Sequence, residues 1–255
     1  ITSGESAGRS VGSIAGENLK PCVLELGGND ALVVLQMQDI DTAVALAVKW
    51  RLSNMGQKCN SSKRFIIVEG IYDVFMSKLQ EQFEQQVLGD PLDVDTTIGP
   101  LANKESVEEV DNQVKIAVKN GANILTWGHK KSLGNISWED NFYEPTILVD
   151  VEKNNPIYDA EIFGPVVVVH KAIDYIDAVR LVNDSRFWLG CSILGENKIE
   201  LEYVATNVNV GNVAINSIVT SHAHLPYGWI NDSGIGKELG ESGIKAFMNE
   251  KVIVR

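Results

Sequence analysis

The chain has 255 residues, 44% of them apolar and 22% charged, which is enough to bury the core of one large or two modest domains. The 34 acidic and 22 basic residues give a net charge of −12, which argues against binding to nucleic acid or to an anionic membrane. No apolar run reaches the roughly 20 residues of a membrane-spanning helix, and the N-terminal residues show no secretory leader pattern. Three cysteines are too few for a disulfide framework or a zinc site, so we expect a reduced, cytoplasmic protein without a metal.

The first 35 residues are predicted to form a strand, a helix and two further strands. A glycine- and serine-rich turn at 3–9 opens the helix, and such a helix N-terminus can bind phosphate. The apolar segment 21–29 carries one carboxylate, Glu25, and ends in Gly27-Gly28. Glu25 either faces solvent from an edge strand or points into a cleft, where a carboxylate could serve as a general base.

A single cysteine, Cys59, lies in a turn between a predicted helix that opens at 39–41 and a predicted strand. Lys58, Lys63 and Arg64 surround it, and positive neighbours favour the thiolate, which is the nucleophilic form of a cysteine. No histidine is an evident partner, which disfavours a papain-like peptidase. A thiol nucleophile with a carboxylate base suits a reaction through a thioester, or a hydrolysis.

Strands alternate with helices through the remainder of the chain, with a polar surface excursion at 129–141. This alternation predicts crossover units and therefore an α/β fold with a mostly parallel sheet flanked by helices. A glycine-rich segment at 226–243 precedes a short helix and a terminal strand, 252–254, which would seek a sheet edge in this chain or in a neighbouring subunit. The other predicted strands are 31–35, 65–68, 122–126, 146–149, 166–169, 191–194 and 213–216, and the predicted helices after Cys59 are 72–87, 103–119, 173–182 and 196–205.

Five short runs occur in a recognisable order across nearly the whole chain. Together they resemble the aldehyde dehydrogenase family and, within it, the bacterial succinate-semialdehyde dehydrogenases. The runs are Leu24-Glu25-Leu26-Gly27-Gly28, Gly56-Gln57-Lys58-Cys59, Glu161-Ile162-Phe163-Gly164-Pro165-Val166, Asn183-Asp184-Ser185, and Leu225-Pro226-Tyr227-Gly228 with Ser233-Gly234-Ile235-Gly236-Lys237-Glu238-Leu239-Gly240.

The resemblance implies that Cys59 attacks an aldehyde, of which succinate semialdehyde is the candidate, and that the reaction passes through a thiohemiacetal and a thioester. Glu25 would activate the water that hydrolyses the thioester, and the Cys59 N–H would donate to the oxyanion. Asn60 and Asn216 would line the substrate funnel.

The resemblance also implies a dinucleotide cofactor, NAD or NADP. Glu161 would hold the nicotinamide ribose, Phe163 would lie against the nicotinamide ring, and Gly4 would lie near the cofactor phosphate. The family has Gly-Ser where this chain has Ser3-Gly4, which displaces the hydroxyl by one position. Bulky rings, Trp188 and Trp229, stand where the family has glycine.

The resemblance corresponds to the C-terminal half or so of a family member. It implies a remnant of the dinucleotide-binding domain at 1–27, a catalytic domain at 28–240, and an oligomerisation tail at 241–255 that would form a dimer or tetramer. The residues that choose between NAD and NADP belong to the other half. Three hypotheses follow: a working aldehyde dehydrogenase, a truncated relative that folds and oligomerises without dehydrogenase activity, and a thiol esterase that uses Cys59 and Glu25 alone.

Overall fold

The computed structural model describes residues 1–134 and 138–255, and it is organised around a seven-stranded sheet. The helices are α1 (Glu5–Glu17), α2 (Ile40–Leu52), α3 (Glu69–Glu84), α4 (Lys104–Lys119), α5 (Tyr175–Asn183), α6 (Lys198–Asn207) and α7 (Gly240–Lys245). The strands are β1 (Leu24–Glu25), β2 (Ala31–Val34), β3 (Arg64–Val68), β4 (Asn123–Thr126), β5 (Lys130–Lys131), β6 (Phe142–Tyr143), β7 (Thr146–Val149), β8 (Val166–Ala172), β9 (Phe187–Trp188), β10 (Gly190–Leu194), β11 (Asn212–Ile215), β12 (Tyr227–Gly228), β13 (Ile230–Asn231), β14 (Gly234–Ile235) and β15 (Lys237–Glu238).

The central sheet has the strand order β11-β10-β2-β3-β8-β7-β4. All neighbours pair in parallel except β4, which runs antiparallel to β7 at one edge. Every residue of β2, β3 and β10 is buried, as expected of parallel strands that helices cover on both faces. The predicted α/β fold with a mostly parallel sheet is confirmed. None of the helices in the described residues is both long and apolar enough to cross a membrane.

The helix ends follow local capping chemistry. The Asn103 side chain accepts a hydrogen bond from the Ser106 N–H at 2.8 Å at the start of α4, and Gly121 continues the chain after α4 with a φ of +102°. The Asp39 carboxylate likewise accepts from the Thr42 N–H at 3.0 Å, which fixes the start of α2. These caps explain why both helix starts could be predicted to within a residue or two.

The predicted terminal strand at 252–254 does not form within this chain, and its pairing with a neighbouring subunit stays a prediction. These residues have no regular structure, and Val252 and Val254 are 87% and 89% exposed. A β-strand exists only when it is paired, and nowhere in the described ranges does a sheet edge pair with this segment. The predicted excursion at 129–141 contains residues 135–137, which lie outside the described residues, and its flanks pair through β5 and β6.

The chain leaves α2 through a tight turn, Ser53–Gly56, with an unusual backbone. Asn54, Met55 and Gly56 have successive φ values of +52°, +58° and +71°, which is one turn of left-handed helix immediately before the cysteine loop. The left-handed region costs a residue with a side chain roughly 1–2 kcal/mol. Contacts elsewhere must therefore hold this turn in place.

Arg51, at the end of α2, provides those contacts. Its guanidinium is fully buried and donates to the Gly56 carbonyl at 3.4 Å and to the Ser61 hydroxyl at 2.7 Å, on either side of Cys59. The same guanidinium donates to the carbonyl oxygens of Ile162 (3.0 Å), Gly164 and Val166 (2.8 Å). Arg51 therefore joins the cysteine loop to a segment more than 100 residues away along the chain.

Replacing Arg51 with Met should lower the free energy of unfolding by about 3 kcal/mol or more, because several buried acceptors would lose their donor. The measurement is urea unfolding followed by tryptophan fluorescence. Arg180→Met is the matched control, because Arg180 is exposed on α5 and pairs with Asp177 one turn away, a contact worth about 0.5 kcal/mol. Equal stability of the two variants would contradict the anchoring role of Arg51.

Candidate active site

Cys59 and Glu25, 34 residues apart in the chain, meet in the structure. The Cys59 thiol donates a hydrogen bond to Glu25 Oε1 at a distance of 2.8 Å. Glu25 is 6% exposed, so it points into the protein rather than outward from an edge strand. Of the two orientations considered for Glu25 from the sequence, the structure has the one that faces a cleft.

Glu25 is placed by β1, which lies outside the central sheet and pairs antiparallel with β14. Its backbone N–H donates to the Ile1 carbonyl at 2.9 Å, and its carbonyl accepts from the Ser3 N–H at 3.0 Å. The strand partner of Glu25 is Gly234, where a Cβ would collide with the Leu24 carbonyl oxygen and where φ is +133°. Glycine is therefore required at 234 for the carboxylate to reach the thiol.

The thiol is held in its protonated form. Burial, followed by the hydrogen bond to Glu25 and the negative charge of Glu25, raises the pKa of Cys59 to about 12, and the positive charge of Lys63 lowers it. The expectation that basic neighbours favour the thiolate is therefore wrong for this state of the protein. Two of those neighbours are directed elsewhere: Lys58 donates to the Ser53 hydroxyl, and Arg64 donates to main-chain carbonyl groups such as that of Asn29.

Glu161 lies across the same cavity. Its Oε1 atom accepts from the Gly28 N–H at 3.2 Å and forms an ion pair with the Lys63 ammonium at 3.0 Å. The Gln113 side chain donates to the Glu161 carbonyl at 3.0 Å and fixes its backbone. A Cβ at Gly27 would lie 2.5 Å from Glu161 Oε2, so the carboxylate occupies space that a side chain at 27 would fill.

A cavity of about 770 Å³ connects these groups. Six of the seven site residues predicted from the sequence line it: Gly4, Glu25, Cys59, Asn60, Glu161 and Phe163.

The cavity residues are suited to a dinucleotide. Glu161 offers a carboxylate that can accept hydrogen bonds from sugar hydroxyls. Phe163 is 44% exposed, so one face of its ring is available to a planar group. A Cβ at Gly4, the residue before α1, would meet no atom within 4 Å, so the backbone there is open to a ligand.

The structure does not bring Asn216 to the cavity. At the end of β11, its side chain accepts from the Gly195 N–H and donates to the Gly195 carbonyl, both at 3.0 Å. These two bonds tie the ends of β10 and β11 together, and Asn216 has a φ of +48° that asparagine tolerates well. In this structure its side chain is engaged with the fold rather than with the site.

Asn60 and Tyr227 also line the cavity. The Asn60 amide donates to the Val219 carbonyl at 3.0 Å, which anchors the residue after the cysteine. Tyr227 lies edge-on to the buried Trp229 ring with their centroids 6.3 Å apart. Trp229 packs in a small apolar cluster behind the cavity, against Leu189 and Val219. The large ring at 229 therefore lies behind the cavity wall rather than among the residues that line it.

Two charged residues near Cys59, Asp30 and Lys63, were not predicted as site residues from the sequence. Asp30 follows Gly28-Asn29 at the entry to β2, and burial raises the pKa of its carboxyl to about 7. Its Oδ1 atom accepts from the Gly190 N–H at 3.0 Å, whereas Oδ2 has no hydrogen-bond partner among the residues that the structure describes. Lys63 is the second group, and its sequence signal was a second basic residue directly before Arg64 at the start of β3. Both are charges placed where a buried strand begins.

Comparison with known proteins gives the family. The model of the aldehyde dehydrogenase family matches residues 1–253. Succinate-semialdehyde dehydrogenase (NADP+) 1 of Mycobacterium ulcerans is 40% identical over 253 residues, which are 99% of this chain and 54% of that protein. The corresponding enzyme of Deinococcus radiodurans is 39% identical, with 99% and 52% covered.

The structural comparison agrees. The crystal structure of succinic semialdehyde dehydrogenase from Streptococcus pyogenes in complex with NADP+ matches with a TM-score of 0.92 at 39% identity, covering 100% of this chain and 55% of that one. The chain thus spans about half the length of the curated relatives it matches. With the family model matched over nearly every residue, the chain belongs to the aldehyde dehydrogenase family.

Proposed function

We propose that this chain supplies the catalytic part of an NAD(P)-dependent aldehyde dehydrogenase and that its substrate is succinate semialdehyde. The observation that carries the proposal is the 2.8 Å contact between the Cys59 thiol and Glu25, in a cavity that Glu161 and Phe163 also line. The names of the relatives support the substrate and favour NADP as the cofactor.

The first proposed step is addition of the thiol to the aldehyde. Cys59 Sγ forms a bond to the carbonyl carbon, Glu25 accepts the thiol proton through the existing hydrogen bond, and the carbonyl oxygen becomes an oxyanion. The Cys59 N–H is the proposed donor to that oxyanion. Because the raised pKa of Cys59 keeps the thiol protonated at rest, the proposed attack includes transfer of the thiol proton to Glu25.

A bound dinucleotide would supply the hydride acceptor that the conversion of the Cys59 adduct to a thioester requires. Glu161 and Phe163 are proposed to hold the ribose and the nicotinamide ring against Cys59. Glu25 would release the first proton to solvent and then take a proton from the water molecule that attacks the thioester. The C–S bond breaks, Glu25 returns that proton to Cys59 Sγ, and the acid that leaves loses its own proton to solvent. A single carboxylate can serve both steps, because it lies 2.8 Å from the sulfur to which the substrate is attached.

A thiol esterase is the second candidate. Cys59 and Glu25 both belong to this chain and are in contact, whereas the chain covers only 54% of the Mycobacterium ulcerans relative. Ester hydrolysis needs the nucleophile and the base but no hydride acceptor. A truncated relative that folds and assembles through residues 241–255 without either activity is the third possibility, and both the domain division and the dimer or tetramer stay predictions.

Replacing Cys59 with Ala should abolish both NADP-linked oxidation of succinate semialdehyde and hydrolysis of an activated ester, because both begin with attack by Sγ. The assays are absorbance of the reduced dinucleotide and release of a chromogenic phenol, each with NAD and with NADP. Cys22→Ala is the matched control, since Cys22 lies outside the cavity. Ester turnover without oxidation in the wild type would favour the esterase, and oxidation that survives Cys59→Ala would contradict the proposal.

Glu25→Gln should accelerate alkylation of Cys59 by iodoacetamide while it slows turnover. The carboxylate raises the pKa of Cys59, so its neutral amide should lower that pKa and increase the thiolate fraction at every pH below about 12. We expect an increase of about tenfold at pH 9, which corresponds to one pKa unit. In the wild type, the alkylation rate should still rise tenfold per pH unit at pH 9 to 10, without a plateau near the ordinary thiol pKa.

The alkylation product is located by mass spectrometry, and Glu17→Gln on the exposed face of α1 serves as the control for loss of one negative charge. Slower alkylation of Glu25→Gln would show that Glu25 promotes the thiolate at rest, and it would contradict a hydrogen bond in which a protonated thiol donates to Glu25.

A further inference from the structure

Lys63 is a buried lysine whose backbone is fixed on two sides. Its N–H donates to the Asp30 carbonyl at 2.9 Å, and its own carbonyl accepts from the Val168 N–H at 2.9 Å. Only 2% of its side chain is exposed. A lysine is almost never buried to this extent unless its charge and its three N–H groups find partners.

The partners of Lys63 come from two separate segments. Its Nζ atom donates to the carbonyl oxygens of Lys58 at 2.8 Å and Cys59 at 2.6 Å, and it pairs with Glu161 Oε1 at 3.0 Å. Nζ therefore has one acceptor for each of its three N–H groups. It also lies 5.9 Å from the centre of the Phe163 ring, two residues after Glu161.

We propose that Lys63 is a positioning residue that holds Glu161 and the Cys59 loop at a fixed separation and keeps one positive charge beside the thiol. Arg51 connects the same two segments, but through main-chain carbonyls and the Ser61 hydroxyl. Lys63 is different because it connects the carboxylate to the carbonyl of the cysteine itself. The contacts of Lys63 are features of the fold, and their role in catalysis rests on the proposed function.

The charges around the thiol determine the sign of the expected effect. Glu25 and Asp30 are acidic groups that disfavour a thiolate at Cys59, and Lys63 is the cation that favours it. Tyr227 also lines the cavity, and its buried hydroxyl stays neutral, since burial raises its pKa. Glu161 offsets part of the Lys63 charge through the ion pair. Removing the ammonium should therefore make the thiolate rarer at any given pH.

The test is the rate of iodoacetamide alkylation of Cys59 at pH 8, 9 and 10 in Lys63→Gln and Lys63→Arg, both in a Cys22→Ser background. Lys63→Gln should react about tenfold more slowly, which corresponds to one pKa unit. Lys63→Arg keeps the charge and should stay within about threefold of the parent. Lys49→Gln, which removes an exposed lysine of α2, is the control for net charge and should match the parent.

Only folded samples, as judged by tryptophan fluorescence and urea midpoint, enter the comparison. If Lys63→Gln does not fold, Glu161→Gln provides the deciding measurement. Glu161 pairs with Lys63 and makes no hydrogen bond to the thiol among the described residues, so its neutral amide should free the ammonium charge and accelerate alkylation about threefold.

The proposal would be overturned if folded Lys63→Gln were alkylated at the parent rate. If Lys63→Gln does not fold, alkylation of Glu161→Gln at the parent rate would overturn it instead. Neither reaction involves an aldehyde or a dinucleotide. Failure of the positioning role would therefore appear as unchanged alkylation, whereas failure of the proposed function would appear as absent turnover with alkylation behaving as described.

Discussion

The buried guanidinium of Arg51 is the interaction on which the site geometry depends. The left-handed backbone of Asn54 and Met55 is unfavourable by itself, and Arg51 fixes the loop on both sides of Cys59 through Gly56 and Ser61. The Arg51 guanidinium donates hydrogen bonds to several main-chain carbonyls and to the Ser61 hydroxyl, so its positive charge interacts with several dipoles. Burial lowers the pKa of Arg51 to about 9 and the negative charge of Glu161 opposes this shift, so the guanidinium is still protonated at neutral pH.

The protonation state of the Cys59 thiol also depends on burial and on a polar contact. A cysteine that rests as a thiolate reacts with any electrophile that reaches it, whereas a protonated Cys59 against Glu25 requires a proton transfer for each attack. Burial and the Glu25 carboxylate together outweigh the single cation at Lys63. The fold therefore places the Cys59 thiol and the Glu25 carboxylate in contact before substrate binds, and the proton stays on the sulfur.

The sequence was informative where a single local pattern decides the structure. Apolar runs identified the strands of the central sheet, and Asn103 and Asp39 identified helix starts, because these depend on neighbouring residues. The protonation state of Cys59 could not be predicted from the sequence. The direction of its pKa shift depends on burial and on Glu25, and both are determined by distant parts of the chain. Residues 252–254 form no strand within this chain for a related reason: an apolar β-branched run predicts a strand, but a strand also needs an edge to pair with.

The polar anchors of the site join residues that are far apart in the sequence. Arg51 reaches Val166 across 115 residues, and Gly28 reaches Glu161 across 133. Closing loops of this length costs conformational entropy before the contact forms. During synthesis, Arg51 lacks its acceptors at Ile162 and Val166 until that segment has left the ribosome. The loop that carries Cys59 therefore cannot gain its full set of anchors before β8 has been made.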